Sequence, residues 1–377
     1  MRVAQISFFM DPEHREPQQL LRDWPTMVDV AEAAAGSGIK VCVIQASSHR
    51  QTLSQGNVTY HFLPPGRYAS SIARGATLRR LLRDLDFDLL HVHGLGFPRD
   101  VLALAQVARG VPILLQDHAD QPPRLWRRPL WRACLSSAAG VCFSARAQAA
   151  PFQHAGLLGP ATMIYEVPEG TCHFVPGDQQ QARNATGLHG DPCVLWVGHL
   201  NDNKDPLTVL DGVSIATEHL PGLRLWCYFA SAPLLQAVQQ RIDQDRRLSA
   251  CVRLMGRAPR EHIQQAMRSA DLFVLGSHRE SCGYALIEAM ACGVAPVVTD
   301  IPAFRALTGD ASVGALWPCG DAHSLADALV STWAAVDPNL RGSVRAHFER
   351  ELSVAAVGRK LSAIYRQVLE QHAGPLQ

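Results

Sequence analysis

Short, uninterrupted apolar runs return along the whole chain, and between them the apolar residues recur at helical spacing. In the first half RVAQISFF, KVCVIQA, DLLHVHG, VPILLQD, GVCFSA and TMIYEV read as strands, separated by stretches such as PTMVDVAEAAAGSG with a helical period. The second half restarts the pattern with CVLWVG, LRLWCYFA, VRLMG, DLFVLGS and VAPVVTD. A strand that is apolar at every position must be covered on both faces, and strands joined through helices pair in parallel. The pattern therefore demands an α/β protein. At 377 residues the chain is too long for one ordinary domain and suits two such sheets.

Periodicity stops in VPEGTCHFVPGDQQQARNATGLHGDPC, residues 167–193, where glycine, proline and polar residues cluster. This places a first domain at 1–167, a linker at 168–190 and a second domain at 191–352. Residues 353–377 read as a helical tail. Ligands of open parallel sheets bind beyond the carboxyl ends of the strands, so the functional residues are expected in the loops just after them.

Composition narrows the function. The formal charge is +1, which leaves no global field for gripping nucleic acid. Ten cysteines are scattered without a CxxC pair, several inside apolar runs, as expected of reduced thiols in a cytoplasmic protein. MRVAQISFFM is followed too soon by DPEHRE to read as a signal peptide, and no run reaches the roughly 18–20 apolar residues of a membrane span. Lysine occurs only at Lys40, Lys204 and Lys360 among 35 cationic residues, so each lysine calls for inspection.

The densest chemistry lies in SHRESCGYALIEAMACG. DLFVLGS is the strand, Glu280 lies in the loop after it, Gly283 opens a helix and Gly293 closes it. The first amides of that helix, around Cys282, Gly283, Tyr284 and Ala285, suit a phosphate or diphosphate. Glu288, whose Cβ tilts toward the helix start, reaches back beside whatever those amides hold. A carboxylate repels phosphate but accepts hydroxyl hydrogen bonds, so Glu280 and Glu288 bracket a ligand of the form hydroxyls, diphosphate, hydroxyls. A nucleotide sugar has that form.

A second candidate is WVGHLNDNKDP, where Gly198, His199 and Lys204 follow strand CVLWV; cations there would neutralise a diphosphate. In LLHVHG, His91 and His93 share one strand face. No carboxylate or cysteine stands at ligand spacing, so a contact of His93 with a sugar or acceptor hydroxyl is favoured over a metal. His118 in QDHAD occupies a similar place after the next strand, on the acceptor side. PPRLWRRPLWRACL interleaves Arg124, Arg127, Arg128 and Arg132 with Trp126 and Trp131. That is the pattern of a peripheral membrane contact at Arg124–Arg132 or of a solvated face packed by its tryptophans; its shortness and Pro129 favour the second.

Together these residues resemble the retaining glycosyltransferases of family 4, whose E-x7-E motif matches Glu280 and Glu288 in ESCGYALIE, continued by AMACGVAPVVTD. The resemblance implies a GT-B fold, two facing Rossmann-like domains with an interdomain cleft, and a final helix that packs back on the first domain. It implies metal-independent transfer from a nucleotide diphosphate sugar, with no other cofactor, to a saccharide, lipid or small-molecule acceptor. It assigns Glu280 to the transferred sugar, Glu288 to the ribose, the amides of Gly283, Tyr284 and Ala285 to the diphosphate, and Lys204 to the leaving group. Gly256 and Arg257 fall where the family holds the base, and His93 matches a histidine near sugar and acceptor.

Three features depart from the family. His199 stands where arginine is usual, the loop FFMDPEHREPQQ lacks glycine, and Ala230-Ser231-Ala232 replaces glycines after LRLWCYF. A sugar-nucleotide-binding protein weakened in catalysis, or an epimerase on the same fold, are the alternative readings.

Overall fold

The computed structural model describes residues 1–64 and 86–373. Residues 65–85, inside the expected first domain, and 374–377, at the end of the expected tail, lie outside the described residues. The chain divides into two compact units, Met1–Thr171 with Val354–Gln377, and Cys172–Ser353.

The first unit carries an eight-stranded sheet in the order β3-β4-β2-β1-β5-β6-β7-β8. Its strands are β1 (Arg2–Ser7), β2 (Lys40–Ala46), β3 (Gln51–Gln55), β4 (Val58–Leu63), β5 (Leu89–His93), β6 (Ile113–Gln116), β7 (Gly140–Phe143) and β8 (Ile164–Glu166). All neighbours run parallel except β3 and β4, an edge hairpin. Sequence reading missed that hairpin because QTLSQ is mostly exposed and carries no apolar run.

Alternate residues supply two cores. Val3, Val41, Val43, Leu89 and Leu114 pack with Ala31, Ala34, Val357, Leu361 and Tyr365 on one face. Ala4, Ile6, Ile44, Leu90 and Leu115 pack with Val101, Leu104, Trp131 and Leu135 on the other. The helix Val354–Ala373 returns to the helix Pro25–Gly36. It crosses at Gly358, where any Cβ would overlap the Ala33 carbonyl, so only glycine permits this approach.

The second unit holds an all-parallel six-stranded sheet in the order β11-β10-β9-β12-β13-β14. The strands are β9 (Cys193–Gly198), β10 (Arg224–Phe229), β11 (Val252–Gly256), β12 (Leu272–Leu275), β13 (Ala295–Thr299) and β14 (Ala315–Trp317). The last is a three-residue strand that apolar periodicity could not resolve.

The stretch 168–190 differs from a plain linker. Its residues from Cys172 onward belong to the second unit, and Gln179–Thr186 is a helix. Asp178 caps it by accepting from the Gln181 amide at 2.7 Å, and Arg183 binds Asp271 at 2.7 Å. Only Ala182 of this helix is buried, so QQQARNAT shows no apolar stripe to read.

In each sheet the strand order reverses direction at one point, beside β1 and β5 in the first and beside β9 and β12 in the second. Ligand-binding loops of open parallel sheets gather at such points.

Candidate active site

In the second unit, β9 ends at Gly198 and the chain turns through His199 to Asp205. Asn201 caps the short 3-10 turn Asp202–Lys204 by accepting from the Lys204 amide at 3.0 Å. Asp205 then caps the helix Pro206–Ala216. The loop after β12 runs alongside because Gly276 has no Cβ, which would sit 3.1 Å from the Lys204 carbonyl oxygen. The two loops are stitched together by His278 N to Asn203 O at 2.8 Å, Asn203 Nδ2 to Arg279 O at 2.9 Å, and His278 Nε2 with Asp205 Oδ2 at 3.1 Å.

This stitching brings Lys204 Nζ into an ion pair with Glu280 Oε1, side chains 76 positions apart that are only 16% and 13% exposed. A pair so little exposed is weakly screened, and deleting one partner leaves the other a largely desolvated charge.

Gly283 opens the helix Tyr284–Ala291 with φ +78°, the left-handed region, and a Cβ there would lie 2.7 Å from the Phe304 ring. The first i to i−4 bond of this helix is Ile287 N to Gly283 O at 3.2 Å, so the amides of Tyr284 and Ala285 precede its ladder. Cys282 is buried beside them. Glu288 is paired with Arg260 at 3.3 Å. Arg260 begins the helix after β11, and its guanidinium lies 5.0 Å over the Phe174 ring. Gly256 and Arg257 sit at the end of β11, the edge strand; among the described residues no bond ties Arg257 to Lys204, Glu280 or Glu288.

His199 is not the cation that a protonated histidine would supply. Its Nδ1 accepts from the Ser231 amide at 3.3 Å, and burial together with the Lys204 charge lowers its pKa, only partly opposed by Glu280. Burial and the Lys204 charge thus favour the neutral ring, and the Ser231 amide on Nδ1 leaves Nε2–H as a hydrogen-bond donor.

In the first unit three strand ends converge. His93 ends β5, His118 follows β6, and Glu169 follows β8. His118 Nδ1 lies 2.5 Å from Glu169 Oε2, and His118 Nε2 lies 3.1 Å from His93 Nδ1. Asp120 Oδ2 accepts from the Leu95 amide at 2.7 Å and tightens the loop around them. Burial pulls the His118 pKa down, but the carboxylates of Glu169, Asp120 and Asp117 outweigh it and the result is raised. His93 moves the other way, lowered by burial and by the charges of His91 and His118. Burial, then Asp120 and Glu169, pushes Asp117 up to about 7. His91 bonds the Tyr365 hydroxyl at 2.7 Å inside the core and serves packing.

These groups form one end of a cavity of about 450 Å³, walled by Phe9, Trp24 and Phe97 and reached by His93, His118 and Glu169. The glycine-free loop after β1 borders it and is held by charge. The carboxylate of Asp11 accepts from Arg15 Nε and Nη2, both at 2.9 Å, and Arg15 lies 5.6 Å over Trp24.

The structure therefore joins Lys204 with Glu280 and His93 with His118. Sequence reasoning missed Glu169, Asp120 and Arg260. Each carries a charge within a few residues of a strand end, the one signal that could have found them.

Two Rossmann-like units, with polar side chains gathered past the strand ends at each reversal point, define the GT-B class of glycosyltransferase. Residues 178–334 match the model of the glycosyl transferases group 1, and residues 26–165 match that of Glycosyltransferase Family 4. The two matches together span most of the chain, and both are to glycosyltransferases.

It is 29% identical over 330 residues to the phosphatidyl-myo-inositol mannosyltransferase of Mycobacterium leprae, covering 81% of this chain and 82% of that one. It is 25% identical over 237 residues to the GDP-mannose:cellobiosyl-diphosphopolyprenol alpha-mannosyltransferase of Xanthomonas oryzae, 61% of this chain and 60% of that one. The fold is similar to sucrose-phosphate synthase of Thermosynechococcus elongatus, with TM-score 0.72, 17% identity and coverage of 98% and 99%. It is equally similar to Anabaena HepE solved in complex with UDP, with TM-score 0.72, 16% identity and coverage of 97% and 100%.

Proposed function

We propose that the protein transfers a sugar from a nucleotide diphosphate sugar to a lipid-linked acceptor, with retention at the anomeric carbon. The observation that carries this reading is the Lys204–Glu280 pair in the loops that lead to the Gly283 helix start. Donor binding exchanges that ion pair for two new contacts, the Lys204 ammonium on the diphosphate and the Glu280 carboxylate on sugar hydroxyls. The amides of Gly283, Tyr284 and Ala285 complete the diphosphate cradle. Glu288, steadied by Arg260, accepts from the ribose hydroxyls, and Gly256 and Arg257 flank the base.

In the reaction, the bond from the anomeric carbon to the diphosphate oxygen breaks and its electron pair stays on the diphosphate. The acceptor hydroxyl forms the new bond to the anomeric carbon and gives its proton to an oxygen of the departing diphosphate. Preorganised donors aimed at the departing charge are the main catalytic device, and this reading requires no metal ion. His199 contributes a neutral Nε2–H bond rather than a charge. His93 and His118 contact the acceptor hydroxyls in the first unit, with Glu169 fixing the His118 ring.

The lipid-linked acceptor is supported by the names of the curated relatives, which specify phosphatidyl-myo-inositol and cellobiosyl-diphosphopolyprenol. No observation favours a binding protein without turnover or an epimerase, and the matched relatives are transferases. The test is a thermal-shift panel of nucleoside diphosphates and nucleotide sugars, since stabilisation follows ligand concentration over affinity. One base should stabilise the protein selectively, and a flat panel would overturn the reading.

A further inference from the structure

We propose that Arg124–Ala133 of the first unit is a docking surface for an anionic lipid membrane. This inference rests on the reading of the acceptor as lipid-linked, and it concerns a surface that takes no part in donor binding. The segment is the 3-10 turn Leu125–Arg127 followed by the helix Arg128–Ser136. The two tryptophans, which the sequence pattern grouped together, have opposite fates. Trp131 turns inward with Cys134 and Leu135, stacking on Phe152 at 6.4 Å between centroids. Trp126 turns outward beside Leu125, and at 73% and 74% exposure they are the most exposed large apolar side chains among the described residues.

The charge around this pair has one sign. From Gln121 to Tyr165 the sequence contains five arginines and no aspartate or glutamate, in a chain whose overall balance is +1. Arg127 lies 5.1 Å over the Trp126 ring. Arg132 Nε donates to the Gly156 carbonyl at 2.8 Å, and the longer contacts of Arg128 are also to carbonyls, of Pro123 and Ala155. Among the described residues none of Arg124, Arg127, Arg128 and Arg132 is paired with a carboxylate, so their charge stays available.

An exposed tryptophan next to a leucine, ringed by arginines, suits the headgroup level of a bilayer. The indole and the leucine enter the apolar boundary while the guanidinium groups meet lipid phosphates. A nucleic acid would reward the arginines but leave Leu125 in water. No described helix is long and apolar enough to cross a membrane, so the contact is peripheral.

The test is sedimentation of the full chain with vesicles of phosphatidylcholine alone and of phosphatidylcholine with an equal part of phosphatidylglycerol. The wild type should bind the second and not the first, less strongly at high salt. Arg124→Gln with Arg127→Gln should weaken binding roughly thirtyfold, and Leu125→Ala with Trp126→Ala about tenfold. Both variants keep nucleotide-induced stabilisation, so loss of docking is separable from failure of the donor site. Vesicle binding unchanged in both variants, no binding by the wild type, or binding to a polyanion such as RNA that ignores Leu125 and Trp126 would each overturn the proposal.

Discussion

The Lys204–Glu280 pair of the second unit and the His93–His118–Glu169 chain of the first are both polar groups set just past parallel strands, yet they are built differently. In the second unit one loop-helix segment of nine residues, Glu280 to Glu288, supplies both glutamates and the Gly283 turn, and a single neighbouring loop adds Lys204. In the first unit three separate strand ends each supply one group, and the two ring nitrogens of His118 find their partners on different loops. Under the proposed function the compact arrangement suits a ligand with a fixed diphosphate. The dispersed one can change any member without disturbing the others, as suits the side of the reaction where acceptors vary.

Substitutions can break or sharpen this contrast. Lys204→Ala should remove the leaving-group charge and reduce transfer by about 3–4 kcal/mol, two to three decades in turnover. Unchanged circular dichroism would show that the fold survives. Glu169→Gln should have a smaller effect, about 1.5–3 kcal/mol on turnover, because it deletes one charged hydrogen bond to a histidine.

The second variant also has a pH signature. The raised His118 pKa means the Glu169–His118 pair stabilises the fold fully below the ordinary histidine value of 6.5 and is lost as pH rises through the raised value. In Glu169→Gln the imidazole titration followed by NMR should move to lower pH. An unmoved titration would show that the contact is packing alone.

Gly283→Ala should lower stability by about 1–3 kcal/mol, from left-handed strain and contact with Phe304. It should weaken nucleotide binding in parallel, read by thermal unfolding with and without ligand. Arg260→Ala comes last. The pair with Glu288 is partly exposed on the arginine side, 34% against 12%, so stability should fall by less than about 1 kcal/mol. A large loss there would show that the surroundings of Glu288 are more tightly built than the geometry implies.

The same contrast explains what the sequence made legible. The parallel strands of both sheets follow from continuous apolar runs such as DLLHVHG and CVLWVG, and the edge hairpin β3–β4 escaped because QTLSQ has none. Glu280, Gly283 and Glu288 could be read together because helix geometry links positions close in sequence. Glu169 could not, since its meaning depends on β5, β6, β7 and β8 following one another in the sheet, which is a property of strand order. It also lies in a stretch whose glycines and prolines suggested only a linker. The lowered pKa of His199 was equally hidden, because burial and the nearby Lys204 charge set it and neither is visible in the sequence.

The most direct test of the central claim is calorimetric titration of the wild type and Lys204→Ala with UDP, GDP and the matching nucleotide sugars. The account predicts that one nucleoside diphosphate binds the wild type at a single site and that Lys204→Ala binds it at least about tenfold more weakly. Equal affinity in both proteins, or no binding of any nucleotide, would contradict the assignment of Lys204 and the Gly283 helix to the donor diphosphate.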